Sequence, residues 1–238
     1  MTEIVAEFAG RRVQRREVLA WENKRIDRAA RKLGIAAPSG GDVTARREAF
    51  LAAKLDLGVD VIVRRLARDT RWADRVARLS AKPSARRRVS TIDLHVGGGN
   101  AGDFVAWFED AANTPDEAAM LRACPDHFVV RNGGPTGHQV LETTGSSPLA
   151  LLIALDYDDL STLTTPVDPA FSDQLAVVAR ASDGTAVGGT RHLFRDTATG
   201  YQARLAVEFP MLTPPTMISG HRWHLACEFS NWAEMALA

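Results

Sequence analysis

The chain has 238 residues, of which 45% are hydrophobic, and its 29 basic and 29 acidic residues leave no net charge. This is an ordinary globular composition, long enough to bury a full core as one large or two small domains. Two cysteines are too few for a disulfide framework, the first residues carry acids where a secretory signal needs cations, and no apolar run is long enough to span a membrane. We therefore expect a cytoplasmic protein without a membrane partner.

Charge is unevenly distributed along the chain. Residues 1–90 contain 22 Lys or Arg against 11 Asp or Glu, whereas residues 91–238 contain 7 against 18. A basic half could contact nucleic acid. Its cations, however, are nearly all arginines spaced as on solvated helix faces, without interleaved aromatic residues. A nucleic-acid partner is therefore not expected, and the basic helices are predicted to pack against the acidic half.

The first 90 residues have a helical pattern. Residues 17–33 and 44–79 are rich in Ala, Leu and Arg, with apolar residues at intervals of three and four, and a Pro- and Gly-containing stretch at 36–41 separates them. Residues 81–88 contain a proline and lack periodicity, which indicates a linker. The pattern predicts a basic helical region over residues 1–90 and a second domain over residues 91–238.

The second domain has a strand pattern followed by a helix. Residues 174–180, 186–194 and 201–209 are joined by turn sequences, and residues 201–209 alternate apolar and polar side chains as a half-buried strand does. After Pro214 and Pro215, residues 218–237 have helical composition. The prediction is an α+β fold in which a curved antiparallel sheet grips a long C-terminal helix.

An earlier hairpin carries one pair of candidate metal ligands. His127 stands on its first arm and Glu142 on its second. If the loop is centred between Gly134 and Pro135, these two residues face each other, with Cβ atoms about 4.5–5.5 Å apart. An imidazole nitrogen and a carboxylate oxygen could then bind the same ion.

The closing helix carries a second pair. His224 and Glu228 are four residues apart and therefore lie on one helix face. Such a pair alone is most often a surface contact, but two pairs together supply two nitrogen and two oxygen ligands. We predict a metal site formed by His127, Glu142, His224 and Glu228. Zinc suits these donors, and manganese and ferrous iron are chemically permitted.

The spacing leaves other ligand sets open. Cys124 and Cys227 stand beside the two histidines, and together they would form a Cys2His2 site of the kind found in closed structural zinc centres. His138 and His221 are further candidates, either as ligands or as residues that orient the ligands.

Two segments resemble a known family. The segment from His224 to Trp232 resembles the C-terminal helix of the diacetylphloroglucinol hydrolase and phloretin hydrolase family, and the Asp126–His127 step with the later Glu142-Thr-Thr-Gly resembles the family's other ligand segment. The resemblance covers roughly residues 120–238 and includes the strands at 188–194 and 200–209. It implies a helix-grip fold of the pollen-allergen and lipid-transfer type, a zinc ion in its cavity, and hydrolysis of a carbon–carbon bond between an acyl group and a phenolic ring.

The implied chemistry requires a proton donor and groups that orient a phenolic or ketone substrate. His192 is the candidate donor because it shares a strand face with Phe194. Tyr157 is the candidate for orienting a phenolic hydroxyl, although aromatic packing is the commoner role. A non-catalytic carrier or sensor of a hydrophobic small molecule, including a ligand-responsive regulator, is the alternative function. The sequence also allows a homodimer.

Overall fold

The computed structural model describes residues 3–82, 85–114, 117–131, 137–145 and 147–238. Within them, nine strands form one antiparallel sheet in the order β2-β1-β3-β9-β8-β7-β6-β5-β4. The strands are β1 (Ile4–Phe8), β2 (Arg11–Gln14), β3 (Arg87–Gly97), β4 (His127–Arg131), β5 (His138–Glu142), β6 (Leu151–Asp156), β7 (Asp173–Arg180), β8 (Ala186–Thr197) and β9 (Gly200–Pro210). The helices are α1 (Arg15–Leu33), α2 (Val43–Leu57), α3 (Val59–Ala81), α4 (Ala101–Asn113), α5 (Ala118–Ala123) and α6 (Pro215–Ala236).

Local sequence accounts for the ends of several helices. The side chain of Asp42 accepts a hydrogen bond from the backbone nitrogen of Ala45 and so caps α2. Gly58, with a φ of 72°, separates α2 from α3 and divides the single helical stretch predicted over residues 44–79. Pro215 begins α6, where its missing N–H group costs no helical hydrogen bond.

Two clusters of buried side chains hold the helices on the sheet. The first lies under α4 and α6 and is rich in aromatic residues, including Phe104, Phe194, Tyr201 and Phe229, beside aliphatic residues such as Leu225. The second joins α1, α2 and α3 to β4 and β5 through Ile26, Leu33, Phe50, Leu66, Phe128 and Leu141. Since side chains alternate across a strand, β4 and β5 turn the other face, with His127 and Glu142, towards α6.

Ion pairs also join the basic first part to the acidic second part. Arg25 in α1 pairs with the fully buried Asp126, and Arg15 pairs with Glu234 in α6. The prediction that the basic helices pack against the acidic half is therefore confirmed by these contacts.

The predicted architecture is wrong in two respects. We expected a helix-grip fold with a helical N-terminal region, but β1 and β2 precede α1 and form one edge of the nine-stranded sheet. We also expected a long C-terminal helix, whereas α6 has 22 residues and α3 has 23. An antiparallel sheet combined with six helices in the described residues agrees only in part with the α+β class.

The first two strands escaped prediction because they are short. They contain five and four residues, so an alternating pattern has little length in which to show itself. Ala9 and Gly10 connect them, and both have positive φ, as the two central residues of a type I′ hairpin turn require. Only Gly10 is a usual residue for that conformation, so the turn signal was weak as well.

The predicted domain boundary near residue 90 falls inside β3. This strand pairs with β1 on one side and with β9 on the other. Residues 83 and 84 of the predicted linker lie outside the described residues, and Arg87 and Arg88 at its end belong to β3. The division into two domains stays a prediction. Among the described helices, none is both long and apolar enough to cross a membrane.

Candidate metal centre

His127 and Glu142 face each other across β4 and β5, as predicted. The reason differs from the one the sequence suggested. Nearer the loop, Val129 pairs with Leu141, and a register shift at Phe128 restores the pairing of His127 with Glu142. The pairs near the loop are thus one residue out of the register that the assumed loop centre implies, and the β-bulge cancels this difference before His127. The loop centre at residues 134 and 135 lies outside the described residues.

The close approach of this hairpin to α6 depends on a glycine. Gly145, three residues after Glu142, has a φ of 62°, and a Cβ atom there would lie 2.5 Å from the backbone nitrogen of His221. A side chain at this position would therefore push the end of the hairpin away from the helix. The glycine places Glu142 beside α6.

His224 and Glu228 lie one turn apart on α6 and are both buried. The Nε2 atom of His224 is 3.5 Å from Oε2 of Glu228. Large neighbours on the same helix, Leu225 and Phe229, belong to the aromatic core cluster and fix the rotation of α6. The helix therefore presents this His–Glu pair to β4 and β5.

The four predicted ligands converge. Nε2 of His127 lies 3.2 Å from Nε2 of His224, 3.1 Å from Oε2 of Glu228 and 3.7 Å from Oε2 of Glu142. Nε2 of His224 lies 3.8 Å from the same Glu142 oxygen. With ligand bonds of about 2.0–2.1 Å, the ligand atoms of a tetrahedral zinc site are about 3.3 Å apart. The arrangement therefore has the dimensions of a metal centre.

The other ring nitrogens of the two histidines are already in contact with protein groups. Nδ1 of His127 donates to the carbonyl oxygen of Met120 at 2.8 Å, which leaves Nε2 with a free lone pair. Nδ1 of His224 lies 3.7 Å from Oδ2 of Asp126. His127 thus has the hydrogen-bonded outer nitrogen that is usual for metal-ligating histidines, and His224 has a carboxylate at ion-pair distance from its outer nitrogen.

The electrostatics of the carboxylates favour cation binding. Although burial acts to raise it, the pKa of Glu228 is held well below its usual value by His224 and His127. Likewise, burial acts to raise the pKa of Asp126, but His224 and Arg25 hold it below its ordinary range. Both groups are therefore anionic near neutral pH.

The cysteines lie close by but on a different side of His224. Sγ of Cys124 is 3.8 Å from Nδ1 of His224, whereas Nε2 of the same ring faces Glu142 and Glu228. Sγ of Cys227 lies 3.7 Å from the carbonyl oxygen of Ala123. Burial raises the pKa of both thiols, so they are protonated near neutral pH. Cys124, His127 and His224 are nevertheless close enough together to hold an ion.

The two remaining histidine candidates differ in position. His221 is buried and stacks on His224 with ring centroids 5.1 Å apart, and with Glu142 and His224 it forms a second trio that could hold a metal. Nδ1 of His138 instead lies 3.2 Å from the hydroxyl of Tyr157. His221 therefore belongs to the centre or its immediate surroundings.

A cavity of about 670 Å³ opens beside the candidate metal centre. Its size falls in the range of small-molecule binding sites, about 300–1,000 Å³. All four candidate ligands line it, together with His192, His221 and Tyr157. Much of the remaining wall is apolar and includes Val140, Leu151, Ile153, Leu155, Leu175, Val177, Val207, Phe209, Phe229 and Trp232.

The two residues predicted to take part in catalysis both line this cavity. His192 is buried on β8 with its ring edge-to-face against Phe229 at 4.8 Å, and burial lowers its pKa to about 4. Tyr157 follows β6, and half of its surface is exposed. Their roles in a reaction stay predictions.

Sequence reasoning missed two buried cations near the centre. Arg25 of α1 donates to Asp126, and Lys54 of α2 donates to the carbonyl oxygen of His127 at 2.9 Å. The sequence signal for Lys54 was its spacing. It follows Phe50 by four residues and Leu51 by three, so it shares a helix face with these two apolar residues.

In comparisons with known proteins, no family model matches the chain, and a search of curated proteins finds no match. The assignment therefore depends on the site itself. Its buried histidine, glutamate and cysteine side chains form groups that could bind a metal ion.

Proposed function

We propose that this protein is a zinc-dependent hydrolase that cleaves the carbon–carbon bond between an acyl group and a phenolic ring. The observation that supports it best is the convergence of His127, Glu142, His224 and Glu228 at the wall of a largely apolar cavity. The substrate class comes from the resemblance of the two ligand segments to acylphloroglucinol and phloretin hydrolases. The cavity walls are compatible with that class because an aromatic ring and an alkyl chain are both apolar.

Zinc is the proposed ion because two nitrogens and two oxygens at these separations suit its ligand preferences and its coordination can expand to five, which leaves a position for water, although manganese and ferrous iron accept the same donors. When bound, zinc would polarise the substrate's oxygens and activate water. The two carboxylates of Glu142 and Glu228 would balance its charge. A cytoplasmic location is part of the proposal, and two cysteines that form no disulfide are compatible with a reducing compartment.

The reaction consumes one water molecule. An acylphenol first transfers its phenolic proton to the ring carbon that bears the acyl group, so that this carbon becomes saturated and lies between the acyl carbonyl and a ring carbonyl, as in a β-diketone. Water adds to the acyl carbon and gives up a proton, the bond to the ring breaks, and its electron pair moves through the ring to the oxygen, which becomes a phenolate and takes up that proton. The products are a carboxylic acid and a phenol with hydrogen in place of the acyl group.

His192 is proposed to carry the proton between the phenolic oxygen and the ring carbon. Its low pKa keeps the imidazole neutral near pH 7, so it can accept a proton from the substrate and return it. Burial against Phe229 holds the ring still. Tyr157, on the half-exposed side of the cavity, is proposed to orient a second phenolic hydroxyl.

A carrier or sensor of a hydrophobic small molecule is the second candidate function. The observation in its favour is the apolar wall of the cavity, which could bind such a ligand without catalysing a reaction. A carrier does not need four ligand residues to converge, and this is the reason we prefer the hydrolase.

The test is a product assay with zinc-loaded protein and monoacylated phloroglucinols. We expect equimolar release of the phenol and the carboxylic acid. Glu228→Gln should abolish turnover, whereas Glu234→Gln, on the same helix and paired with Arg15, should leave the rate within about threefold of wild type. Tight binding of the compounds without product release would reject the hydrolase and favour the carrier.

A further inference from the structure

The groups that lie behind the candidate ligands include two buried cations from α1 and α2. His224 turns Nε2 to the other ligands and Nδ1 to Asp126, 3.7 Å away. Asp126 is fully buried, so its charge requires a partner, and Nε of Arg25 supplies one at 2.5 Å. The hydroxyl of Thr143 also donates to Asp126. A carboxylate held from two sides can fix the ring of His224.

Thr143 also links Asp126 to the ligand hairpin. It directly follows Glu142, its backbone nitrogen donates to the carbonyl oxygen of Asp126 at 3.2 Å, and Arg25 donates to its hydroxyl oxygen at 3.2 Å. Arg25 therefore contacts both Asp126, behind His224, and the residue next to Glu142.

Lys54 holds the other histidine through the backbone. Its Nζ atom is buried and donates to the carbonyl oxygens of Leu121 at 2.7 Å and His127 at 2.9 Å. The carbonyl oxygen of Met120, the residue before Leu121, accepts the hydrogen bond from Nδ1 of His127. One ammonium group therefore fixes both the main chain of His127 and the segment that orients its ring.

We propose that Arg25 and Lys54 are positioning residues of the metal centre, through which α1 and α2 set the orientation of His224 and His127. This inference rests on the proposed metal site. It gives the basic helices a function that their own sequence does not indicate, because their buried cations complete a site whose ligands all lie beyond residue 120. Groups that orient metal ligands typically contribute about 10–100-fold to metal affinity.

The test measures zinc affinity by competition with a chelator, and ligand geometry from the visible spectrum of the cobalt(II)-substituted protein. Arg25→Met and Lys54→Met should each weaken zinc binding about 10–100-fold and alter the cobalt spectrum. Arg25→Lys keeps the positive charge beside Asp126 and should recover most of the affinity lost in Arg25→Met. Affinities are compared only among variants that keep the wild-type circular dichroism.

Arg47→Met is the matched control. Arg47 is also largely buried between α1 and α2, but its guanidinium pairs with Glu22. We expect this variant to lose stability and to keep zinc affinity within about threefold of wild type. If Lys54→Met and Arg25→Met fold and bind zinc as tightly as the wild type, the positioning role is wrong while the metal site stands. If the wild type itself binds no metal, both proposals fail.

Discussion

The Nε2 atoms of His127 and His224 lie 3.2 Å apart, although the residues are 97 positions apart in the chain. Nδ1 of His127 donates to a carbonyl oxygen, so its Nε2 carries a lone pair directed towards the second imidazole. Two carboxylates, Glu142 and Glu228, approach the same point. A cation between these four groups would satisfy all of them, and the following predictions test whether one binds there.

The two alternative ligand sets predict different effects of substitution. We expect Cys124→Ser with Cys227→Ser to retain bound zinc, because Cys124 contacts the Nδ1 side of His224 rather than its Nε2 side. Glu142→Gln should weaken binding by more than about a hundredfold, since losing an outer partner alone costs about 10–100-fold. Zinc affinity is measured by chelator competition. Zinc lost in the cysteine variant and kept in Glu142→Gln would support the Cys2His2 site instead.

Gly145→Ala should be strongly destabilising. The new Cβ atom would lie 2.5 Å from the backbone nitrogen of His221, and the residue would keep a φ of 62°. Together, overpacking and the left-handed conformation should cost about 2–5 kcal/mol in the free energy of unfolding, measured in urea.

Gly184→Ala is the control for that substitution. Gly184 has a φ of 83°, but among the described residues no heavy atom lies within 4 Å of its added Cβ. Only the backbone cost of about 1–2 kcal/mol applies there. Equal losses in the two variants would mean that the contact with α6 does not constrain residue 145.

Stability of the metal-free protein should fall on acidification, partly because of His192. Its pKa is lowered by burial from 6.5 to about 4, so below pH 6.5 the unfolded chain binds a proton that the folded protein does not. This difference should lower the free energy of unfolding by roughly 3 kcal/mol between pH 7 and pH 4.

Urea titrations across this pH range, in the presence of a chelator, measure the effect. His192→Gln cannot titrate and should show a shallower fall with acidification than the wild type. Parallel curves for the two proteins would show that His192 keeps an ordinary pKa in the fold.

Phe229→Ala should remove much of the packing that fixes α6. Its ring contacts Trp232 and His192 with centroids 5.0 Å and 4.8 Å away, and its side chain is buried. We expect a loss of about 3–5 kcal/mol in the free energy of unfolding. Leu79→Ala, at an exposed position of α3, should change it by less than about 0.5 kcal/mol. A similar small change in Phe229→Ala would contradict the packing account.

Local patterns were sufficient to pair the candidate ligands but not to predict the architecture around them. The spacing of His224 and Glu228 follows from the helix period alone, and the pairing of His127 with Glu142 was correct because the bulge at Phe128 compensated for an error in the assumed loop centre. Such a compensation has no sequence signal.

Contacts between distant segments could not be predicted in the same way. Arg25 and Lys54 reach the centre only because α1 and α2 pack on β4 and β5, more than 60 residues away in the chain. The strands β1 and β2 were missed for the opposite reason, since they are too short for a pattern to emerge. Sequence therefore indicated which candidate ligands come together better than it indicated the sheet that supports them.

Metal analysis of protein purified without added metal tests the central claim most directly. Atomic emission spectrometry would compare the wild type with His224→Ala and Glu228→Ala, with each variant checked for folding by circular dichroism. We predict close to one zinc ion per wild-type chain and its loss in both variants. A wild type without bound metal, or zinc retained in Glu228→Ala, would contradict the centre formed by His127, Glu142, His224 and Glu228.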